Sequence, residues 1–341
     1  MLFLFIMAFS FSRPLRNIVS LFTGNSIIII TLYFFLFYAF YFIFSFPLKY
    51  YQGLVYIRAN NFIDWFQTLF KKEVRAFSVL FFVIQVIYFF LETDVLWWWL
   101  PVAFLCIISR YSLELAPKYL APLFLQSTAL DSSEFKQRLI ELVGRANIKV
   151  TNVFFLAQAK AEVVILGYGP VRKLMLSEKI RDYAPEEIEI IVAREAANHY
   201  YGHIRSKLII EALVMLLVFL IVNIAFKPVA GYFGFEFIFD IETLPVLIGL
   251  FFIIFLLMAL IQNSYFRSMD KQADIYALKM TQAPDAFISL LIRQQQNRDK
   301  LDIDYFVNQI LNGNISDARR MALAQDYAQG IYAQEKGSKN L

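Results

Sequence analysis

Long apolar stretches constrain this chain more than any other feature of its sequence. They cover residues 25–46, closed by Pro47, and then 76–91, 95–109, 208–226 and 244–262. Because a helix of about 20 apolar residues crosses a bilayer, each stretch predicts a membrane span, and the second and third are close enough to form a tight helical hairpin. The sequence therefore predicts a mainly α-helical, polytopic membrane protein.

The composition supports this class and excludes several others. Of the 341 residues, 59% are hydrophobic and 18% are charged, whereas soluble domains carry about 25% charged residues. The low charge argues against a disordered chain, and the single cysteine, Cys106, cannot form an internal disulfide. The net charge is +4, with no block of Lys or Arg. These features predict the lipid bilayer as a partner and no nucleic acid.

The N-terminal residues 1–12 are apolar but too short to span a membrane. A signal peptide carries its positive charge before the apolar stretch, whereas here Arg13 and Arg16 follow it. We expect an interfacial helix or a buried N-terminal segment, with a cleaved signal peptide as the alternative.

Charge is distributed unequally between the two sides of the predicted spans. The connection after the first span is basic and the connections on the opposite side are mainly acidic. The first set is Lys49, Arg58, Lys71, Lys72 and Arg75, and the second is Glu92, Asp94, Lys227, Glu236, Asp240 and Glu242. Because positive loops remain cytoplasmic, the basic side is expected to be the cytoplasmic or matrix-equivalent side of a membrane that the sequence does not identify.

Four regions follow from this pattern. Residues 1–109 form an N-terminal transmembrane region, 110–206 the first part of a polar domain on the basic side, 207–263 two transmembrane helices, and 264–341 the helical C-terminal part of that domain.

The polar domain shows signals for both strands and helices. Three β-rich runs cover 149–156, 163–167 and 172–177. Pro185 then precedes two glutamates, which is typical of the first turn of a helix. The sequence therefore predicts a small α+β domain.

One helix and its surroundings carry a resemblance to a known family. Residues 193–203 read AREAANHYYGH, preceded by GYGPVRKLMLSEKI at 167–180 and followed, after two membrane spans, by RSMDKQAD at 267–274. This order resembles the integral-membrane zinc metalloproteases of the type I CaaX prenyl protease family and, more distantly, the bacterial membrane heat-shock proteases. The resemblance implies about five to seven transmembrane helices with a small α+β zinc-protease-like domain.

The resemblance also assigns roles to individual positions. The first zinc-binding histidine of the family falls on Arg194, the general-base glutamate on Glu195 and the second histidine on Asn198. The third zinc ligand falls on Asp270 and the aspartate that follows it on Asp274. The remaining correspondences are His203, Asn314 and Arg320 as neighbouring motif positions, and Glu162 with Val163 to Gly167 as the substrate-binding edge strand.

The residues at these positions are poor zinc ligands. A catalytic zinc site needs imidazole and carboxylate donors with one position open for water. The guanidinium of Arg194 has no lone pair to donate, and the amide of Asn198 is a weak neutral ligand. We therefore expect no metal cofactor and an idle Glu195, and we hypothesise that Arg194 pairs with Asp270 in place of the metal.

Three functions remain open on sequence grounds. The first is a catalytically inactive, CaaX-protease-like pseudo-peptidase that binds a peptide along the edge strand. The second is a structural subunit of a membrane assembly. The third is an active membrane metalloendopeptidase with an unusual metal shell, for which a shifted site of His199, His203 and Asp270 is the candidate. For Arg194, Glu195, Asp270 and Asp274, the simpler alternative is a set of solvated helix charges.

Overall fold

The fold was analysed in a computed structural model, which describes residues 2–59, 61–93, 96–124, 127–130, 134–156, 162–166, 172–296 and 315–330. The described helices are α1 (Leu2–Ser20), α2 (Ser26–Ala59), α3 (Phe62–Thr93), α4 (Trp99–Phe124), α5 (Glu134–Gly144), α6 (Pro185–Tyr200), α7 (His203–Tyr232), α8 (Leu244–Thr281), α9 (Pro284–Gln296) and α10 (Asp317–Ala328). The strands are β1 (Ser127–Ala129), β2 (Val150–Leu156), β3 (Val163–Leu166) and β4 (Arg172–Ser177). The protein is thus mainly helical with one small sheet, as predicted.

Within the described part of the chain, four segments are helical, long and apolar enough to cross a membrane. They are Ser26–Leu54, Phe62–Thr93, His203–Tyr232 and Ile241–Thr281, and a shorter apolar helix covers Trp99–Ser112. The span predicted at 76–91 is longer than expected. No proline or glycine interrupts residues 62–93, so the helix continues through the amphipathic residues that precede the apolar run.

The chain forms two compact units. The first comprises residues 1–107 and 215–256, and the second comprises 108–214 and 257–341. The first therefore holds α1 to α3 with parts of the later membrane helices, and the second holds the sheet and the shorter helices.

Helix α1 belongs to the first unit through polar contacts. Ser12 is buried and its hydroxyl lies 2.7 Å from the Tyr33 hydroxyl. The guanidinium of Arg16 binds Asp240 at 2.8 Å, and Arg13 lies 4.0 Å from Glu242. These contacts attach α1 to the connection between α7 and α8.

The sheet of the second unit has the strand order β1-β2-β4-β3. Strand β2 is antiparallel to β1 and parallel to β4, and β3 is antiparallel to β4. Among the described strands β3 therefore lies at an edge. The predicted β-rich runs correspond to β2, β3 and β4, although Gly167 lies outside the described residues.

The core of the second unit lies between the sheet and helices α5, α6 and α9. Its fully buried side chains include Leu139, Val153, Leu174, Val192 and Phe287. Helix α6 begins at Pro185, and the Glu187 carboxylate accepts a hydrogen bond from the Ala184 backbone N–H at 3.1 Å. This contact satisfies a backbone donor at the start of α6, the helix that carries Arg194 and Glu195.

Candidate functional site

Helices α6 and α8 of the second unit carry the predicted site residues. Arg194, Glu195 and Asn198 lie on the last turns of α6, and Asp270 and Asp274 lie one turn apart on α8. Residues four apart lie on one face of a helix, so both aspartates are presented on the same side of α8. The two helices supply all five of these side chains.

A buried cluster joins Arg194, Asp274 and Arg320. Arg194 Nε lies 2.5 Å from Asp274 Oδ1, and the side chain of Asp274 has no exposed surface. Arg320 binds the same carboxylate through two nitrogens, Nε to Oδ2 at 2.8 Å and Nη2 to Oδ1 at 3.1 Å. Burial and the neighbouring Arg194 guanidinium lower the pKa of Arg320. The cluster connects α6, α8 and α10 by charge-assisted contacts.

The hypothesised pair of Arg194 with Asp270 is wrong. Asp270 binds Lys207 instead, with Nζ 2.9 Å from Oδ1. Lys207 lies in the first turns of α7, close enough to bind Asp270. Asp274 lies one turn further along α8 and binds Arg194 instead. The position that corresponds to the third zinc ligand is therefore already paired with a cation.

Glu195 faces two polar side chains of its own helix. Asn198 Nδ2 donates to Glu195 Oε2 at 3.2 Å, and His199 Nε2 lies 3.5 Å from Oε1. On its other side, His199 Nδ1 lies 3.4 Å from a nitrogen of Arg172. Because a guanidinium can only donate, Nδ1 must be the unprotonated nitrogen and Nε2 carries the proton that faces Glu195. Donors thus converge on the general-base position.

His203 extends this polar chain to α8. Its Nδ1 lies 3.3 Å from Asn198 Oδ1, and its Nε2 lies 3.1 Å from the side-chain amide of Gln272. Since Asn198 Nδ2 already donates to Glu195, its oxygen accepts from His203 Nδ1–H. In neutral His203 the Nε2 atom is then an acceptor and needs a donor. The Gln272 side chain supplies one when its amide is flipped, so that the nitrogen takes the place of the oxygen.

The donor chemistry of this site does not fit a catalytic zinc ion. Of the three corresponding ligand positions, Arg194 is a cation, Asn198 is a neutral amide, and the carboxylate of Asp270 is held by Lys207. Zinc sites of this class require deprotonated nitrogen and carboxylate donors. In the described part of the chain, no group of three or more His, Cys, Asp or Glu side chains is placed to hold a metal.

The shifted site of His199, His203 and Asp270 lacks the helical geometry that its spacing suggests. Helix α6 ends at Tyr200, and Gly202 adopts a left-handed conformation with φ of 68° before α7 begins at His203. The two histidines therefore lie on different helices, where an i, i+4 spacing no longer aligns their rings.

The predicted edge strand is β3, and Glu162 precedes it. Gln294 of α9 donates from one nitrogen to both carboxylate oxygens of Glu162, at 2.8 and 3.0 Å. Val163 pairs with Leu176 of β4. Asn314 and Gly167 lie outside the described residues.

Sequence reasoning missed three contributors to the site. Lys207, Arg172 and Gln272 each bind a predicted residue, at 2.9, 3.4 and 3.1 Å. Arg172 and Gln272 lie inside the quoted segments 167–180 and 267–274, but at positions to which the resemblance assigns no role. The one available signal was the polar turn between Tyr200 and Leu208, which places Lys207 just before an apolar span.

Comparison with known proteins gives the site its context. The model of peptidase family M48 matches residues 126–320, more than half of the chain. The chain is 21% identical over 289 residues to CAAX prenyl protease 1 of Saccharomyces cerevisiae, covering 76% of this chain and 63% of that protein. It is 22% identical over 232 residues to the uncharacterized metalloprotease YhfN of Bacillus subtilis, covering 64% and 54% respectively.

A solved membrane protein has a similar fold. The crystal structure of S. mikatae Ste24p aligns with a TM-score of 0.61 and 16% sequence identity, covering 89% of this chain and 77% of that one. The chain spans less than two thirds of the length of the curated relatives above. The family match extends from the first strand to Arg320 and so includes every helix that contributes to the site. The chain therefore belongs to peptidase family M48, as a CaaX-protease-like integral membrane member.

Proposed function

We propose that this chain is a catalytically inactive member of its family, a pseudo-peptidase that acts by binding or as a structural subunit of a membrane assembly. The observation that carries the proposal is the ion pair of Arg194 with Asp274 at 2.5 Å. A permanent cation on α6 lies where the family resemblance puts the first metal ligand, and it would repel a divalent ion at that point.

The surroundings of Glu195 support the same conclusion. A metallopeptidase glutamate deprotonates a water that the metal has made acidic. Here the carboxylate accepts from Asn198 at 3.2 Å and faces the His199 N–H at 3.5 Å. Its lone pairs serve local structure, and no acidified water is supplied by the ligand positions of this chain.

Strand β3 favours a binding role over a purely structural one. An edge strand offers unpaired backbone groups that can add one extended peptide by main-chain hydrogen bonds. The Glu162 side chain at its start is held by Gln294 and so has a defined position. In this proposal a bound peptide is selected by shape and backbone pairing, with no zinc to polarise its carbonyl groups.

Location follows from the charge pattern of the connections. The basic segment that contains Lys71, Lys72 and Arg75 is assigned to the cytoplasmic or matrix-equivalent side, together with the protease-like unit. Two variants test this orientation, one with a glycosylation acceptor inserted into the connection around Glu236 and one with the acceptor inserted near Lys72. We expect glycosylation only of the first. Modification near Lys72 alone would reverse it.

Metal content and peptidase activity test the main proposal together. The purified protein is equilibrated with zinc, dialysed and measured by inductively coupled plasma mass spectrometry beside an Arg194→His/Asn198→His variant. We expect no stoichiometric zinc in the wild type and a gain in the variant. Stoichiometric zinc in the wild type, with peptide cleavage that Glu195→Gln abolishes, would establish the alternative, an active metalloendopeptidase with an unusual metal shell.

A further inference from the structure

Helices α2 and α3 form a hairpin that is longer than the hydrocarbon core of a bilayer. At one end of this hairpin the Ser26 hydroxyl donates to the Glu92 carboxylate. A helix rises 1.5 Å per residue, so Lys71 lies about 30 Å from Glu92 along α3, which is the thickness of the hydrocarbon core. The residues from Phe62 to Lys71 therefore extend into the headgroup layer at the other end of the hairpin.

Polar contacts mark the same level on the neighbouring helix. Lys49 of α2 lies 2.9 Å from the Glu73 carboxylate, and the Tyr38 hydroxyl donates to Glu73 at 2.9 Å. Glu73 is thus occupied by two groups of α2. Charged side chains of spanning helices concentrate where the hydrocarbon ends, so the pair of Lys49 and Glu73 indicates that boundary.

Three cations surround this boundary on the outer faces of α3. Lys71, Lys72 and Arg75 are all exposed, and none forms an ion pair with any residue that the structure describes. Their nearest acid in sequence, Glu73, is neutralised by Lys49. The cluster therefore presents unbalanced positive charge at the level of the lipid headgroups.

An aromatic ladder lies beside the cations on the same helix. Phe62, Phe66 and Phe70 stack along one face, with ring centroids 6.0 and 6.3 Å apart. Phe70 is 55% exposed and Phe66 is 37% exposed. Cations on one face and aromatic rings on another are the pattern of helices that lie among the headgroups of anionic membranes.

The two helices pack closely at this end of the hairpin. The Trp65 indole lies against Gly53, where any side chain would meet the ring. Trp65 is buried and also packs on Tyr50 with ring centroids 5.8 Å apart. The cations thus lie on a helix that packs closely on its neighbour.

We propose that Lys71, Lys72 and Arg75 form a binding site for the headgroups of anionic phospholipids at the basic end of the α2–α3 hairpin. The negative phosphates are supplied by the leaflet that this end of the hairpin enters. A second copy of the chain is disfavoured as the occupant, because two copies apposed through this face would bring like charges together. The site is independent of the proposed function, since neither Arg194 nor the sheet takes part.

Lipid titration of the whole purified protein in detergent tests this site. Native mass spectrometry counts bound phosphatidylglycerol and phosphatidylcholine of identical acyl chains. The test variant is Lys71→Gln/Lys72→Gln/Arg75→Gln. The matched control, Arg145→Gln/Lys149→Gln/Lys179→Gln, removes three exposed positive charges from the protease-like unit.

We expect the wild type and the control to bind phosphatidylglycerol several-fold more tightly than phosphatidylcholine, and the test variant to lose this preference with an unchanged melting temperature. Retention of the preference in the test variant, or an equal loss in the control, would overturn the site. Competition by soluble glycerol phosphate at the same concentration as the lipid would also overturn it, because the free headgroup would then suffice.

Discussion

Lys207 and Asp270 form an ion pair, with the Lys207 ammonium 2.9 Å from Asp270 Oδ1. The pair joins the start of α7 to α8. It also occupies the carboxylate that the family resemblance identifies as a zinc ligand. Restoring histidines on α6 therefore leaves a competing cation beside the third ligand.

The ion pair gives a first prediction for zinc binding. The Arg194→His/Asn198→His variant should bind zinc weakly, and adding Lys207→Met should raise its affinity, because Asp270 is then released. The dissociation constants from competition with a chromogenic chelator check this order. Lys179→Met in the same background is the control, and an equal gain there would remove Lys207 from the explanation.

Arg194 should contribute to stability as a partner of a buried carboxylate. Arg194→Ala leaves Asp274 with Arg320 alone, and we expect a loss of about 1–3 kcal/mol, less than for a fully buried pair because the Arg194 side chain is 28% exposed. Thermal unfolding in detergent measures the change. Arg181→Ala, which breaks an exposed pair with Glu178, is the control and should change little. Equal melting temperatures for both variants would contradict the role of Arg194.

Asp274 should be the more sensitive member of the cluster. Asp274→Asn removes the charge that serves both Arg194 and Arg320, so the two guanidiniums then repel each other with only Asp317, 3.9 Å from Arg320, as a nearby acid. We expect a larger loss of stability than for Arg194→Ala, on the order of 3–5 kcal/mol. Adding Arg194→Ala to Asp274→Asn should restore part of it. The double-mutant cycle is contradicted if the two losses simply add.

Glu195→Gln separates the structural role of this residue from a catalytic one. The Gln amide can accept through one atom only, so either Asn198 or His199 then faces a donor. We expect a loss of about 1 kcal/mol in the free energy of unfolding. Proteolysis of a peptide library should be at background for wild type and variant alike. Activity in the wild type that the substitution removes would assign Glu195 to catalysis.

Glu189 should produce a pH dependence of stability. Burial raises the pKa of its carboxyl above the ordinary 4.5, and Arg138 at 2.7 Å opposes this in part. Because the folded protein holds the proton more tightly than the unfolded chain, this contribution is fully present below the unfolded pKa and is lost as pH rises through the folded pKa.

The melting temperature of wild type should therefore fall relative to that of Glu189→Gln as pH rises from about 4 to 7. Differential scanning calorimetry across this range measures the difference between the two proteins. Glu178→Gln, at a half-exposed pair with Arg181, is the control. A widening difference in favour of the wild type would mean that Arg138 outweighs burial.

The sequence was most informative where many residues share one signal. Apolar runs located the spans, and the order of strands and helices around Arg194 and Asp274 was sufficient for the family. Which charged side chains pair with each other depends on how far each side chain reaches in the folded protein, and the spacing of residues in the sequence does not predict this. Asp270 and Asp274 lie on one face of α8, and which of them meets Arg194 is decided by Lys207 and by Arg320, 46 residues further along the chain.

Gly202 explains why the spacing of His199 and His203 does not place them on one helix face. The residues HYYGH satisfy a four-residue helical interval, yet the left-handed Gly202 ends α6 between the two histidines. A glycine often ends a helix, because it adopts the left-handed conformation without strain. As a signal for the helix end it is stronger than the spacing of only two histidines.

The contact of Arg16 with Asp240 joins residues that are 224 positions apart. During synthesis, α1 is complete long before Asp240 leaves the ribosome. Until α7 has been inserted, Arg13 and Arg16 have no counter-charge from that connection and α1 has no docking surface there. Helix α1 is thus made well before Asp240 and completes its contacts late.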